Sequence, residues 1–286
     1  MTRVAVTGGS GKLGRAVVAE LVEYGYDVVN LDRERSPDPR SPFVLVDLAD
    51  YGQVLAALLG VDDQYDRIDA VVHLAAIPAP GLTTNAATFN NNIASTYHVF
   101  AAARAAQIKT VVWASSETVL GLPFGPNTPP PYIPVDENYH PKPNSSYSLA
   151  KTLEEEMAGQ FCRWDPALSM TGLRFSNVME PADYAVFPAF DADPTVRIWN
   201  LWGYIDARDG AQAVRLALTA ARPGSDIFVI AAADTVMSRS SADLAKSMFP
   251  DVDVVRPLHE HETMLSIDKA RRLLGFAPAH TWRDQS

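Results

Sequence analysis

The sequence predicts an α/β fold in which a parallel β-sheet is covered by helices on both faces. Runs of near-continuous apolar residues, such as RVAVTGG at residues 3–9 and AVVHLAA at residues 70–76, are typical of strands buried on both faces. Between such runs lie segments whose apolar residues recur at helical spacing, as in residues 12–24. Strands that alternate with helices indicate parallel strands joined by helical crossovers.

The alternation continues to residue 178 and weakens beyond Pro181. Strands are predicted at residues 3–9, 27–32, 43–48, 70–76, 110–116 and 169–178. Helices are predicted at residues 12–24, 51–59, 89–107 and 144–164. The proline-rich residues 122–143 are expected to form an ordered irregular loop, because proline lacks the amide hydrogen that helices and sheets require.

The later part of the chain is predicted to form a smaller, loop-rich lobe. Its elements are a strand at residues 226–232 and helices near residues 206–221, 241–248 and 266–274. We therefore predict a sheet domain over residues 1–178 and a small lobe over residues 179–286. The strand at residues 226–232 is expected to join the sheet of the first domain.

Composition and charge exclude several classes of protein. Hydrophobic residues make up 47% of the chain and charged residues 20%, the balance of a soluble globular protein. The net charge of −10 argues against a general nucleic-acid binder, and no apolar run has the length of a membrane span or signal peptide. The single cysteine, Cys162, excludes an internal disulfide and fits a reducing cytoplasm. His259 and His261 lack further ligands nearby, so no metal site is predicted.

A glycine-rich turn, TGGSGKLG, links the first predicted strand to the first predicted helix. Gly8, Gly11 and Gly14 permit a tight turn whose backbone N–H groups approach a pyrophosphate at the helix N-terminus. Asp32 ends the second predicted strand, where a carboxylate accepts hydrogen bonds from ribose hydroxyls and favours NAD over NADP. Arg33 weakens that preference, since it could pair with a phosphate. The pattern favours a Rossmann-type doubly wound sheet, and the alternative is a tight turn without a ligand.

The predicted helix at residues 144–164 contains Tyr147 and Lys151, which share one helix face because they are four residues apart. A neighbouring ammonium lowers the pKa of a tyrosine from its usual value near ~10, so Tyr147 could act as a general base. The alternative is a surface tyrosine and lysine one turn apart. The three glutamates at residues 154–156 are expected on the solvated face of the helix.

The chain resembles the extended short-chain dehydrogenases, the NAD-dependent epimerase/dehydratase family. The resemblance covers nearly the whole chain and rests on TGGSGKLG, LDR, VDL, HLAA, NNIAST, SSETVLG, YSLAK, LRFSNV, YIDARD and SIDKARRLLGF. It implies NAD as the cofactor, an NAD-binding domain over residues 1–178 and a substrate-binding lobe over residues 179–286.

The resemblance also implies roles for individual residues. Ser116 would hydrogen-bond the reacting oxygen, Tyr147 would be the base, and Lys151 would lower the pKa of Tyr147 and hold the nicotinamide ribose. Asn92 matches a catalytic-site asparagine of the family, although Ser95 replaces a glycine of the same motif. The implied cofactor contacts are Gly8, Gly11, Lys12, Leu13, Gly14, Asp32, Arg33, Asp47, Leu48, Leu74, Ala75, Ala76, Ile77, Asn91, Tyr147, Lys151 and Ser176. The implied substrate contacts are Ser116, Glu117, Tyr147, Asn177, Arg197 and Trp202.

Two departures from the family concern the substrate. Residues 181–204 form a shorter segment than nucleotide-sugar enzymes carry, and it is similar to that of the uronate dehydrogenases. There an arginine shortly before a tryptophan grips the substrate carboxylate, which implies that role for Arg197 near Trp202; the alternative is an arginine in a structural ion pair. Glu117 stands where the uronate enzymes have asparagine, and its charge would repel an acidic substrate. A neutral sugar or polyol is therefore an alternative substrate.

These observations favour an NAD-dependent oxidoreductase that transfers a hydride between NAD and a small sugar, sugar acid or polyol. One alternative is a sugar or nucleotide-sugar epimerase or dehydratase with tightly bound NAD, which would not accumulate NADH. A minor alternative is a non-catalytic NAD-binding sensor, although such proteins usually lose the tyrosine or lysine. By analogy with the family, a homodimer would pair the helices predicted at residues 89–107 and 144–164.

Overall fold

The computed structural model describes residues 1–285. Its strands are β1 (Arg3–Thr7), β2 (Asp27–Asp32), β3 (Phe43–Leu45), β4 (Ala70–His73), β5 (Thr110–Ser116), β6 (Ser169–Phe175), β7 (Val178–Met179), β8 (Ile205–Asp206) and β9 (Gly224–Ile230). Its α-helices are α1 (Lys12–Glu23), α2 (Tyr51–Leu59), α3 (Asn85–Ala105), α4 (Ser146–Trp164), α5 (Phe187–Phe190), α6 (Ala207–Thr219), α7 (Ser241–Met248) and α8 (Asp268–Leu274). None of these helices combines the length and the apolar character needed to cross a membrane.

Seven strands form one parallel sheet in the order β3-β2-β1-β4-β5-β6-β9. Apolar cores lie on its two sides, one built partly from α1 and α6 and the other from α2, α3 and α4. The predicted α/β fold of the Rossmann type is therefore confirmed. The strand order changes direction between β1 and β4, and sheets of this kind bind ligands beside the carboxyl ends of the strands at such a point.

β9 lies at the edge of the sheet beside β6, with Gly172 opposite Ile227. The chain therefore leaves the sheet after β6 and returns to it at β9. The short pair β7 and β8 forms a separate two-stranded sheet between these two passages.

Several predicted strands extend too far at their carboxyl ends. β4 ends at His73 rather than at residue 76, and β6 ends at Phe175 rather than at residue 178. The residues that follow line a cavity, and those after β4 (Leu74, Ala75 and Ala76) continue the apolar run, so hydropathy alone does not reveal where that strand ends. In contrast, α3 begins at Asn85, earlier than predicted, because the Thr84 side chain accepts a hydrogen bond from the backbone of the first turn.

Candidate active site

A cavity of about 1070 Å³ lies at the carboxyl ends of the sheet strands. One side is formed by the glycine turn and the ends of β2 and β4, and the other by the end of β5, the start of α4 and the segment after β6. Most of the predicted site residues line this cavity: Gly8, Gly11, Lys12, Leu13, Gly14, Asp32, Arg33, Leu48, Leu74, Ala75, Ala76, Ile77, Asn91, Ser116, Glu117, Tyr147, Lys151, Ser176 and Asn177.

The glycine turn packs too tightly for a side chain at Gly8 or at Gly14. Gly8 has a φ of +73°, and a Cβ there would lie 2.6 Å from the backbone nitrogen of Ala75. A Cβ on Gly14 would lie 2.0 Å from the carbonyl oxygen of Gly8. Gly11 precedes α1 and offers no capping side chain, so N–H groups of the first helical turn have no side-chain partner there. The turn therefore fits an anionic group such as a pyrophosphate.

Asp32 stands at the end of β2 beside this turn. Its carboxylate accepts hydrogen bonds from the backbone nitrogens of Ser10, at 3.0 Å, and Arg33, at 2.7 Å. The Arg33 guanidinium forms an ion pair with Asp47. The Asp32 carboxylate is thus held by backbone donors at the cavity edge while Arg33 is engaged by Asp47, an arrangement suited to ribose hydroxyls rather than a phosphate.

Ser116, Tyr147 and Lys151 lie together at the junction of β5 and α4. The Ser116 hydroxyl accepts hydrogen bonds from the Thr118 backbone nitrogen, at 3.2 Å, and the Thr118 hydroxyl, at 3.0 Å. Its own hydrogen is therefore available for another oxygen. The Lys151 ammonium donates to the Ala114 carbonyl oxygen at 2.8 Å, which fixes the lysine against the end of β5.

The pKa of Tyr147 differs from the prediction. Only 7% of Tyr147 is exposed, and burial raises its pKa. Lys151 and Ser116 act in the expected direction and stabilise the phenolate, but they do not outweigh burial. Lys151 and Ser116 by themselves therefore do not lower the pKa of Tyr147, and the lowered pKa expected with a nicotinamide cation nearby stays a prediction.

Glu117 is the first residue of a short 3-10 helix at residues 117–120 and is almost fully buried. Its carboxylate accepts hydrogen bonds from the Ser176 hydroxyl, at 2.6 Å, and from the Asn200 amide, at 3.0 Å. Burial raises the pKa of Glu117 to about 7, although these two donors and the Arg197 charge favour the anion. The Glu117 carboxyl is therefore protonated below about pH 7 and ionised above it.

Arg197 and Trp202 do not line the cavity. The Arg197 guanidinium is buried, and it donates to the Asn177 side-chain oxygen at 3.0 Å and the Gly203 carbonyl oxygen at 2.8 Å. Trp202 is wholly buried, and its indole nitrogen donates to the Pro194 carbonyl oxygen at 2.8 Å. The structure thus gives Arg197 protein partners and places Trp202 in the core, and their role as substrate contacts stays a prediction.

Asn92 and Asp47 also lie outside the cavity lining. The Asn92 amide accepts from the Ile77 nitrogen at 2.8 Å and donates to the Ile77 carbonyl oxygen at 3.0 Å, so it anchors the loop after β4 to α3. Asp47 pairs with Arg33 and accepts from the Ala49 nitrogen, contacts that hold its pKa below the usual value.

Sequence reasoning did not identify several residues that line the cavity. Trp199 lines the cavity, and its ring centroid lies 5.2 Å from the central guanidinium carbon of Arg197. Pro78–Pro80 and Asn144 also line the cavity. The tryptophan pattern in VRIWNLW was the available signal, but it does not reveal which ring faces the cavity. Among residues 1–285, no group of three or more His, Cys, Asp and Glu residues is arranged to hold a metal ion.

The parallel sheet, the glycine turn and the Ser116–Tyr147–Lys151 cluster together define a protein of the extended short-chain dehydrogenase class. More specifically, the chain belongs to the NAD dependent epimerase/dehydratase family, whose model matches residues 4–231. The predicted family is confirmed, and the predicted cofactor NAD agrees with it. The fit of the glycine turn and of Asp32 to a dinucleotide is consistent with that membership.

Curated relatives of different activity resemble the chain. UDP-glucose 4-epimerase of Yersinia pestis is 33% identical over 184 residues, which cover 61% of this chain and 52% of that protein. L-arabinose 1-dehydrogenase (NAD(P)(+)) of Haloferax volcanii is 28% identical over 235 residues, 80% of this chain and 87% of that protein. The matches span only 52 to 59% of the first curated epimerases.

A solved structure extends the likeness over the whole fold. The crystal structure of a UDP-galactose 4-epimerase is 26% identical, covers 98% of this chain and 94% of that chain, and has a TM-score of 0.70.

Proposed function

We propose that the protein is an NAD-dependent dehydrogenase that oxidises a hydroxyl group of a small neutral sugar. The observation that carries the proposal is the charge on the substrate side of the cavity, where Glu117 supplies a buried carboxyl and Arg197 is engaged by protein oxygens. Such a pocket suits uncharged hydroxyl groups better than a carboxylate or a diphosphate.

The residues around the glycine turn would hold NAD. The first turn of α1 would receive the pyrophosphate, Asp32 the adenosine ribose, and Lys151 the nicotinamide ribose. When bound, NAD supplies the acceptor for the hydride.

Tyr147 and Ser116 would act on the reacting hydroxyl. Tyr147 takes the proton of the substrate hydroxyl as the hydride leaves the same carbon, so the alcohol becomes a carbonyl. The Ser116 hydroxyl only accepts hydrogen bonds from Thr118, so its own hydrogen can be donated to the reacting oxygen. The cationic Lys151 nearby favours the phenolate form that removes the proton.

The cationic side chains of the cavity support a neutral substrate. Lys12 pairs with Asp183 at 2.6 Å, Arg33 pairs with Asp47, and Lys151 pairs with Glu154 at 2.9 Å. Each cation is thus compensated by a carboxylate, so an anionic substrate could use the charge of Lys12, Arg33 or Lys151 only in competition with that carboxylate. The likeness to the arabinose dehydrogenase, which extends over most of both chains, points in the same direction.

The experiment measures whether NADH accumulates when purified protein is mixed with NAD and a panel of neutral aldoses, uronic acids and nucleotide sugars. Accumulation with a neutral aldose is expected. NADH formation from uronic acids alone, or turnover of nucleotide sugars alone, would contradict the proposal.

A nucleotide-sugar epimerase is the second candidate, supported by the 33% identity to the Yersinia enzyme. An epimerase oxidises and re-reduces its substrate on the same bound NAD, so it would interconvert sugars without net NADH. Analysis of the sugar products alongside NADH separates the two activities.

We also propose that α3 and α4 form a homodimer interface. Four large apolar side chains of these helices are at least 40% exposed: Tyr97, Leu149, Leu153 and Trp164. Burial of such a patch against its copy would remove apolar surface from water. Sedimentation of the wild type as a dimer, and of Leu153→Glu as a monomer, is the expected result; a monomeric wild type would contradict it.

A further inference from the structure

Glu154 occupies an unexpected place in the core of the protein. It was predicted on the solvated face of α4 with its two neighbours, yet none of its surface is exposed, whereas Glu156 is exposed. The prediction is wrong for Glu154 because Lys151, three residues earlier, supplies a buried cation at 2.9 Å from the Glu154 carboxylate. A buried carboxylate is stable only when it is paired in this way.

The ion pair leaves little freedom to either partner. The Lys151 ammonium has two acceptors, Glu154 and the Ala114 carbonyl oxygen. The second Glu154 oxygen, Oε1, is buried and makes no hydrogen bond of normal geometry. Burial raises the pKa of Glu154, and the Lys151 ammonium, followed by the Thr96 hydroxyl, favours its charged form. Burial by itself would lower the pKa of Lys151, but the charges of Glu154 and Tyr147 outweigh it and raise that pKa.

We propose that Glu154 is a positioning residue, which fixes the Lys151 ammonium by its ion pair and moderates the positive charge that acts on Tyr147. The inference rests on the proposed function only in that Tyr147 is taken to be the base. A lysine compensated by a carboxylate stabilises a phenolate less than an uncompensated lysine does. Glu154 therefore shifts the working range of Tyr147 toward higher pH.

Other titratable groups face this pair from the neighbouring elements. His73 on β4 is buried between the hydroxyls of Thr7 and Thr96, and burial lowers its pKa to about 3, so it stays neutral in the assay range. Glu155 on α4 is engaged by Arg174 at 2.8 Å. The Glu117 charge raises the pKa of Tyr147 slightly, and Glu117 itself loses its proton near pH 7. Each measurement is therefore repeated in a Glu117→Gln background.

The test compares Glu154→Gln with Glu154→Asp and with Glu156→Gln, an exposed glutamate on the same helix. The pKa of Tyr147 is measured by NMR of protein labelled at the tyrosine ζ carbon, with Tyr147→Phe to assign the signal, and the acid limb of the kcat profile is recorded in parallel. Glu154→Gln is expected to lower both values by about one pH unit. The Glu154→Asp and Glu156→Gln variants are expected to stay close to the wild type.

Unchanged values in Glu154→Gln would overturn the proposal, and so would an equal shift in Glu156→Gln. The NMR titration needs no substrate, so it decides the role of Glu154 even if the proposed dehydrogenase activity fails. Glu154→Met serves as a second variant if Glu154→Gln does not fold, since it removes the charge without a buried amide that needs partners.

Discussion

The two sides of the cavity differ in how they are built. The proposed nucleotide side is built mainly from backbone: the glycine turn, the start of α1 and the ends of β2 and β4. The proposed substrate side is made by side chains from separate segments, with Glu117, Ser176 and Asn200 joined by hydrogen bonds. A local sequence motif can specify the glycine turn, whereas the second arrangement depends on tertiary contacts.

Replacement of Tyr147, the proposed base, tests whether a substrate hydroxyl on one side of the cavity is oxidised by NAD bound on the other. In Tyr147→Phe the proton of the substrate hydroxyl has no acceptor at that position, so kcat is expected to fall by about 10²–10⁴-fold. The measurement is steady-state NADH formation, with calorimetric NAD binding and thermal melting as controls. Activity within tenfold of the wild type would contradict the role of Tyr147.

A substitution in the glycine turn tests the nucleotide side alone. Gly8→Ala would place a Cβ 2.6 Å from Ala75 at a φ of +73°, and NAD affinity is expected to fall by at least about a hundredfold. Gly25→Ala is the matched control, because Gly25 has a φ of +80° with nothing within 4 Å.

The Gly25→Ala control is expected to cost about 1–2 kcal/mol of stability and to leave NAD affinity unchanged. NAD titration followed by fluorescence, together with thermal melting, separates the two effects. Equal NAD affinities for the two variants would show that the close packing of the turn is irrelevant to binding.

The ionisation of Glu117 tests the substrate side. The folded protein holds this proton up to about pH 7, while the unfolded chain releases it near the ordinary pKa of 4.5. As the pH rises through this interval, the wild type therefore loses stability relative to Glu117→Gln, by up to about 3 kcal/mol. Urea unfolding of both proteins between pH 4 and pH 8 measures the difference. A constant difference across this range would show that Glu117 is not a buried titrating group.

Asp32 tests the cofactor preference with a smaller expected effect. Asp32→Asn retains the shape but loses the charge that repels a 2′-phosphate, so the preference for NAD over NADP is expected to fall by about tenfold. The ratio of kcat/KM for the two cofactors measures it. Asp38→Asn, an exposed carboxylate outside the cavity, is the control and should leave the ratio unchanged.

The sequence predicted the sheet well where apolar runs end at polar residues. β5 was predicted with the bounds Thr110–Ser116 and α2 with the bounds Tyr51–Leu59, as the structure has them. The prediction extended too far at β4 and β6. After β4 the apolar residues Leu74, Ala75 and Ala76 continue into the cavity wall, and an apolar cavity wall gives the same hydropathy pattern as a strand buried in a sheet.

Side chains of residues 197–202 could not be placed from the sequence. Leu201 and Trp202 have φ values of 56° and 57°, and this left-handed pair turns the chain so that Trp202 enters the core while Trp199 reaches the cavity. No residue pattern predicts such a turn, because non-glycine residues rarely adopt a left-handed backbone conformation. The burial of Glu154 did have a signal, since Lys151 precedes it by three residues on one helix face.

The most direct test of a neutral substrate compares a neutral aldose with its uronic acid. The kcat/KM for NADH formation is measured for both sugars with the wild type and with Glu117→Gln. Near pH 8, above the Glu117 pKa of about 7, the wild type is expected to prefer the aldose by at least about tenfold, and Glu117→Gln is expected to reduce this preference because it removes the negative charge in the pocket. A wild type that prefers the uronic acid, or that turns over nucleotide sugars alone, would contradict this expectation.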